Sequence, residues 1–368
     1  MRIGVITHHN VPNYGAVLQA YALQQAIMDM GYDCDIIDYR DIRVERFYHY
    51  SLIAQNSIKE VIRHFLYFRI FARRNRVFKE FRKHNFVMSA PCSKKALKKI
   101  NSEYDLFISG SDQVWNLALH NGDTSYFLDF VFENDKKGSY AASFGYSTVP
   151  TVHIDATKYY LQMFSYINVR ESEGVTIARE LTGKEVNQVV DPTILLDKDK
   201  WMRFIKPIKF ENYIFVYEIC RLDESYRYAL ELAEQTGKRV IAVTPFDRLK
   251  GVAYQGNIEW INFLSPEEFL SLIYYADYVV TSSFHGTVFS LLFEKKFLCT
   301  MNNKSETNSR IKSLLEMVGL STRLTRFKNM SDDIDYSKIH KLLSFQIKNS
   351  RAVLNNMIEN AQSRKGDC

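Results

Sequence analysis

Short apolar runs and amphipathic stretches alternate along this chain, and that alternation sets the expected fold. RIGVITHH has the apolar character of a buried strand, GAVLQAYALQQAIMDMG spaces its apolar residues as a helix stopped by Gly31, and YDCDIIDY returns to strand. YDLFISG, GSYAASFG, INVRES and VNQVVDPT continue the strand series, with helices expected near 153–166 and 172–182. From about Asp197 the pattern restarts, with NYIFVYEI, RVIAVTP, NIEWINF, DYVVTSS and FLCTM as strands. ESYRYALELAEQTG, SPEEFLSLIYYA and SRIKSLLEMVG read as helices between and after them, and a final helix is expected over about 336–362. Repeated βα units without an internal repeat or low-complexity linker predict an α/β protein of two Rossmann-like, doubly wound lobes facing a cleft. The expected divisions are 1–196, which includes a basic helical segment at 58–100, then 197–335, then a C-terminal helix within 336–368.

The composition fits this picture and narrows the chemistry. The chain has 368 residues, 46% hydrophobic and 24% charged, which suits two soluble domains. No apolar run reaches the roughly 18–20 residues of a membrane span, and MRIGVITHHN reads as a strand rather than a signal peptide, so a cytoplasmic protein is expected. Cys34, Cys92, Cys220, Cys299 and Cys368 are odd in number and scattered, against a disulfide framework or a zinc site. HExxH, EF-hand, Walker A and GxGxxG patterns are absent, so neither a metal nor a cofactor is expected.

Charge adds one feature. Residues 59–99 carry 13 Lys/Arg against Glu60 and Glu80, within a net charge of +6 for the whole chain. Val61, Ile62, Phe65, Leu66, Phe71, Phe78 and Phe81 recur among them at roughly helical spacing. The segment reads either as a surface for anionic lipid at the inner face of the plasma membrane, or as a core-packed helix with a solvated basic face. No nucleic-acid reader motif accompanies the charge, so nucleic acid is not an expected partner.

Candidate chemistry gathers where strands end and helices begin, the place where doubly wound sheets bind ligands. In TSSFHGTVFS, Ser282 and Ser283 are candidate donors to an anion, Gly286 allows close backbone approach, and His285 can supply a hydrogen bond or a proton. Lys304 and Arg310 follow the next strand and are either anion ligands or surface charges. Arg170 ends INVR, facing the cleft or pairing with Glu171 and Glu173. In FISGSDQVWN, Asp112, Trp115 and Asn116 offer carboxylate, ring face and amide to a sugar, unless Asp112 caps a helix. His8, His9, Asn10 and Asn13 occupy the first strand-to-helix loop, where a small polar ligand or an acceptor sugar fits better than a pyrophosphate.

Taken in order, NYGAVLQAYAL, GSDQVWN, VRESEG, VVDPT, SSFHGTVFS and the Lys304/Arg310 segment resemble the polysaccharide pyruvyltransferase family, over about residues 3–320. The resemblance implies a fold like the two-lobed B-type glycosyltransferases, with the acceptor on the first lobe and the donor on the second. It implies transfer of pyruvate from phosphoenolpyruvate to a sugar hydroxyl pair as a ketal, on a cell-surface glycan or its lipid-linked precursor. Arg170, His285 and Lys304 match family positions, whereas Asn168 and Ser283 stand where the family commonly has serine and arginine. In that scheme Arg170 and Lys304 hold the anionic donor, His285 is the general acid and Asp112 a base toward the sugar. Two other readings stay open at this point: a nucleotide-sugar glycosyltransferase in which Glu294 binds ribose, and a non-catalytic glycan-binding scaffold.

Overall fold

β1 (Arg2–Ile6) is buried from its second residue onward, as a central strand of a parallel sheet covered on both faces must be. It lies between β2 (Asp33–Ile36) and β3 (Leu106–Ser109), and β4 (Lys137–Ser139) pairs with β3. β5 (Ile167–Val169) and β6 (Val186–Gln188) pair with each other, and single bridges from Gly138 to Tyr166 and from Ala142 to Val169 continue the sheet toward them. The computed structural model describes residues 1–41, 58–219, 223–243, 257–262, 264–301, 308–324 and 333–366. The chain divides into two units, the first Met1–Phe71, Lys79–Leu196 and Ser344–Cys368, the second Ala72–Phe78 and Asp197–Leu343.

The second unit is built on β7 (Tyr213–Tyr217), β8 (Arg239–Val243), β9 (Ile258–Ile261), β10 (Tyr278–Thr281) and β11 (Lys296–Cys299). They are all parallel, in the order β11-β10-β7-β8-β9. Each sheet therefore reverses its winding once, between β1 and β3 in the first unit and between β7 and β10 in the second. Such reversals open a crevice at the carboxyl ends of the two strands.

Local sequence explains the elements that frame these points. The helix Tyr14–Asp29 is buried along nearly its whole length, and within it Gln24 donates to the Cys34 and Val87 carbonyls at 2.9 and 2.7 Å. Asn13 is its cap, accepting from Ala16 N at 3.3 Å, so this residue is engaged in starting the helix rather than offered to a ligand. Trp115 likewise takes a different place from the sugar platform expected of it. It is fully buried, stacked on Phe127 at 5.6 Å and flanked by Phe144 and Phe164, because the loop after β3 folds its largest apolar side chain into the core.

The basic segment forms the helix Ile58–Asn85. Of its apolar residues, Phe78 and Phe81 are buried, with Phe81 edge-on to Tyr21; the side chains of Val61, Ile62, Phe65, Leu66 and Phe71 lie outside the described residues. Arg69, Arg73, Arg76, Lys79 and Lys83 are exposed. Among the described residues no helix is long and apolar enough to cross a membrane. The last helix, Tyr336–Gly366, is anchored within the first unit by Ser350, which accepts from Val190 N at 3.0 Å, and by Met357. Gly138 in β4 lets the Met357 side chain pack directly on the strand: a Cβ there would stand 2.5 Å from the Met357 sulfur.

Burial of Trp115 carries a stability prediction. Trp115→Ala should cost about 3–5 kcal/mol in urea unfolding, whereas Trp115→Phe, which keeps the stack on Phe127, should cost much less. Equal small losses in both would contradict a core role.

Candidate functional site

At the reversal point of the second unit, three strand ends contribute hydroxyls and one carboxylate. Thr281 donates to the Tyr217 carbonyl at 2.7 Å and accepts from Ser283 N at 3.0 Å, which turns the chain into the helix Phe284–Leu292. A Cβ on Gly286 would collide with the Thr281 hydroxyl, so only glycine lets the helix start so close to the strand. His285 sits in the first turn, 7% exposed, at the positive end of the helix.

Two serines expected to meet an anion are committed elsewhere. Ser283 caps the helix, its hydroxyl accepting from Gly286 N at 3.3 Å, and its carbonyl takes Thr287 N at 2.9 Å. Ser282 donates to Glu218 at 2.6 Å and accepts from Ile219 N at 2.9 Å. Glu218, buried just after β7, also accepts from Ser225, which shares a 2.7 Å hydrogen bond with Thr300 after β11. A buried carboxylate needs donors and a helix start needs a cap, and these serines meet both needs. Arg310 is half-buried in the first turn of the helix Asn308–Met317, and Lys304 lies outside the described residues. Glu294 stands beyond Leu292, at the other end of the helix from His285, ion-paired to Lys198 at 3.0 Å and 3.4 Å from His340 Nε2. That position removes it from a ribose site shared with His285.

The first unit has a different arrangement. Arg170 follows β5, is 4% exposed, and donates to Asp191 at 2.9 Å and Ser111 at 3.3 Å, with Nε 3.5 Å from Glu171. Burial lowers its pKa, but the charges of Asp191 and Glu171 outweigh that and hold it above the ordinary value. Asp191 in turn accepts from Thr193 N at 3.0 Å, and Ser143 donates to Glu171 at 2.5 Å. Rather than standing open as a bidentate clamp for an anionic donor, Arg170 ties the ends of β3, β5 and β6 together.

Beside it, at the reversal point between β1 and β3, Asp112 adopts a left-handed backbone (φ 79), uncommon for any residue but glycine, and caps no helix. Its carboxylate lies 3.3 Å from His8 Nδ1, His8 Nε2 lies 3.2 Å from His120 Nε2, and His120 Nδ1 lies 3.4 Å from Asp41. His9 reaches Asp38 at 2.9 Å, and Arg40 reaches the same carboxyl at 2.7 Å. Burial, outweighing Asp41, holds His120 below its ordinary pKa; burial raises Asp38, but its bonds to His9 and Arg40 prevail and hold it low. His8, His9, Asn10, Asp41, Tyr39 and Tyr126 help line a small recess, open to solvent, with room for about one water or hydroxyl. Asn116 accepts from Leu119 N at 3.0 Å and so shapes the loop behind the cluster.

Several of these residues escaped the sequence reading. Glu218 and Asp38 stand just past strands, where an acid directly after an apolar run is a usable signal; Asp41, after Arg40, has no such mark. His120 belongs to an irregular loop, and nothing in its sequence neighbourhood announces that it returns to His8.

The sequence model of the polysaccharide pyruvyl transferase family matches residues 13–304. Among proteins with curated descriptions none matches. A Listeria monocytogenes protein assigned as a UDP-N-acetylglucosamine 2-epimerase superposes with a TM-score of 0.51 at 11% identity, covering 98% of this chain and 89% of that one. An alpha-glucosyltransferase solved with UDP and DNA superposes with a TM-score of 0.52 at 10% identity, covering 96% and 99%. At such identities the likeness establishes a shared fold, that of the B-type glycosyltransferases and related epimerases.

Two measurements test the clusters. Arg170→Ala leaves Asp191 and Glu171 buried without their cation and should cost about 3–5 kcal/mol in denaturant unfolding, with Arg170→Lys costing less. Because His120 is depressed from 6.5, the unfolded chain binds its proton first, so the contribution of a neutral His120 is present above about pH 6.5 and is lost as pH falls toward the folded value. Melting temperature should drop below that pH in the wild type and drop less steeply in His120→Gln; identical slopes would contradict the assignment.

Proposed function

The chain belongs to the polysaccharide pyruvyl transferase family, and we propose that it moves the pyruvyl group of phosphoenolpyruvate onto two hydroxyls of a sugar as a cyclic ketal. It is a transferase, and the family's acceptor is a sugar or polysaccharide. The observation that carries the reading is the extent of the family match, residues 13–304, which takes in Asp112, Arg170 and His285 together.

In this reading the donor's anionic groups lie toward the N-terminus of the helix Phe284–Leu292, with Arg310 and Lys304 as the cations supplied after β11. His285 gives a proton to the methylene carbon, which becomes a methyl group, while an acceptor hydroxyl bonds to the adjacent carbon and surrenders its own proton. The carbon–oxygen bond to phosphate then breaks and phosphate leaves with the bonding pair; the second hydroxyl bonds to the same carbon, its proton passes to the departing phosphate, and the ketal closes. Arg170 acts from beneath, fixing the strand ends that carry Ser111 and Asp112. The exposed row Arg69, Arg73, Arg76, Lys79 and Lys83 suits a lipid-linked, anionic acceptor at the inner face of a membrane, with the enzyme cytoplasmic.

His285→Asn should lower phosphate release from phosphoenolpyruvate by about 10²–10⁴-fold in the presence of acceptor, while Glu294→Gln, at the helix's other end, should leave it unchanged. A normal rate in His285→Asn, or equal loss in both variants, would sink the assignment. Replacing the five exposed basic residues by Gln should weaken sedimentation with phosphatidylglycerol vesicles at low salt; unchanged sedimentation would rule out the membrane role.

A further inference from the structure

The cluster around His8 has hydrogen-bond partners that fix where its protons are. The Gln113 carbonyl only accepts, so His120 Nε2, 3.2 Å away, carries a hydrogen. His8 Nε2, 3.2 Å from that same nitrogen, is then the acceptor, which puts the His8 hydrogen on Nδ1, toward Asp112. One position remains, between His120 Nδ1 and Asp41 at 3.4 Å. Filled by a proton it completes a continuous chain; without one, two lone-pair atoms face each other. The chain thus has two states that differ by one proton, and Asp41 and His8 both line the recess.

We propose that Asp41, His120, His8 and Asp112 are a proton relay that serves this recess, and that a hydroxyl of a saccharide acceptor seated over its mouth enters it and delivers its proton there. The assignment rests on the transferase reading above and adds the base side of the reaction to it. The acceptor O–H bond breaks, its proton enters at Asp41 and moves on to His120 Nδ1, one proton passes from His120 Nε2 to His8 Nε2, and one from His8 Nδ1 to Asp112. Each histidine gives one proton and gains one, and the electron pair left on the acceptor oxygen forms the bond to the donor carbon. Asp41 and His8 face the substrate; His120 acts through them as a positioning residue.

Three observations favour a relay over a purely structural cluster. The four groups stand at the reversal point between β1 and β3, where a doubly wound sheet binds its ligand. Asp112 is held in a left-handed backbone that costs on the order of 1–3 kcal/mol, and its side chain is 16% exposed, so the relay's far end reaches water. Tyr126 packs on both rings, edge-on to His8 at 5.1 Å and tilted on His120 at 4.6 Å, which fixes the alignment a transfer needs. A metal is the weaker explanation of two facing imidazoles, since among the described residues no three His, Cys, Asp or Glu side chains are placed to hold one ion and both outer nitrogens already face carboxylates.

The test uses the full chain with ¹⁵N-labelled histidine. NMR should find His8 protonated at Nδ1 and His120 at Nε2; His8 protonated at Nε2 alone, or stoichiometric zinc bound between the rings, would overturn the proposal. In kinetics, His120→Gln should lower kcat about 100-fold with the KM for phosphoenolpyruvate within about twofold, and Asp112→Asn should do the same. The solvent isotope effect should pass from a multi-proton to a single-proton dependence in His120→Gln, and imidazole should restore part of the rate of His8→Ala. Full activity in His120→Gln, or a loss confined to KM, would overturn the relay. A wild type with these tautomers that turns over another donor keeps the relay and sinks the phosphoenolpyruvate reading.

Discussion

The buried charge of Arg170 is the constraint on which the first unit depends. A guanidinium out of water is tolerable only when carboxylates face it closely, and Asp191 and Glu171 do so at 2.9 and 3.5 Å. Those carboxylates belong to the chain just after β6 and β5, and Ser111, the residue before Asp112, bonds to both Arg170 and Asp191. Strand ends that would otherwise be independent loops are thereby fixed to one another. Asp112 can hold a left-handed backbone because its neighbour is held from beneath.

The two units solve the same problem with different chemistry. Each presents the ends of adjacent parallel strands at a winding reversal, and each must pair the polar groups buried there. The second unit uses short hydroxyls around Glu218 and a glycine that lets a helix start against the strand, giving a compact seat around His285. Larger ionisable side chains do this work in the first unit, where Arg170, His8, His120 and several carboxylates share hydrogen bonds. The unpaired N–H groups of a helix N-terminus suit an anionic donor; a histidine–carboxylate chain suits removal of a proton.

Much of this was legible in the sequence, for definable reasons. Strands such as NYIFVYEI announce themselves because parallel strands are apolar on both faces, and the glycine of SSFHG announces a strand-to-helix junction. What could not be read was the use to which each polar residue is put. Ser282, Ser283 and Asn13 have the side chains of ligand donors and of helix caps alike, and only tertiary contacts decide between them. Trp115 has both the ring of a sugar platform and the bulk of a core residue, and its fully buried stack on Phe127 decides for the core. His120 is the extreme case, since its partners His8 and Asp41 are 112 and 79 residues away in sequence.

The central claim is that pyruvate leaves phosphoenolpyruvate for a sugar hydroxyl pair, with protonation of the methylene carbon by the enzyme. NMR of the reaction of [2-¹³C]phosphoenolpyruvate with saccharide acceptors in D₂O tests it most directly. The account predicts a new ketal carbon signal, a methyl group carrying a single deuterium, and one phosphate released for each ketal formed. Unchanged phosphoenolpyruvate, with glycosyl transfer from a UDP-sugar to the same acceptors, would contradict it.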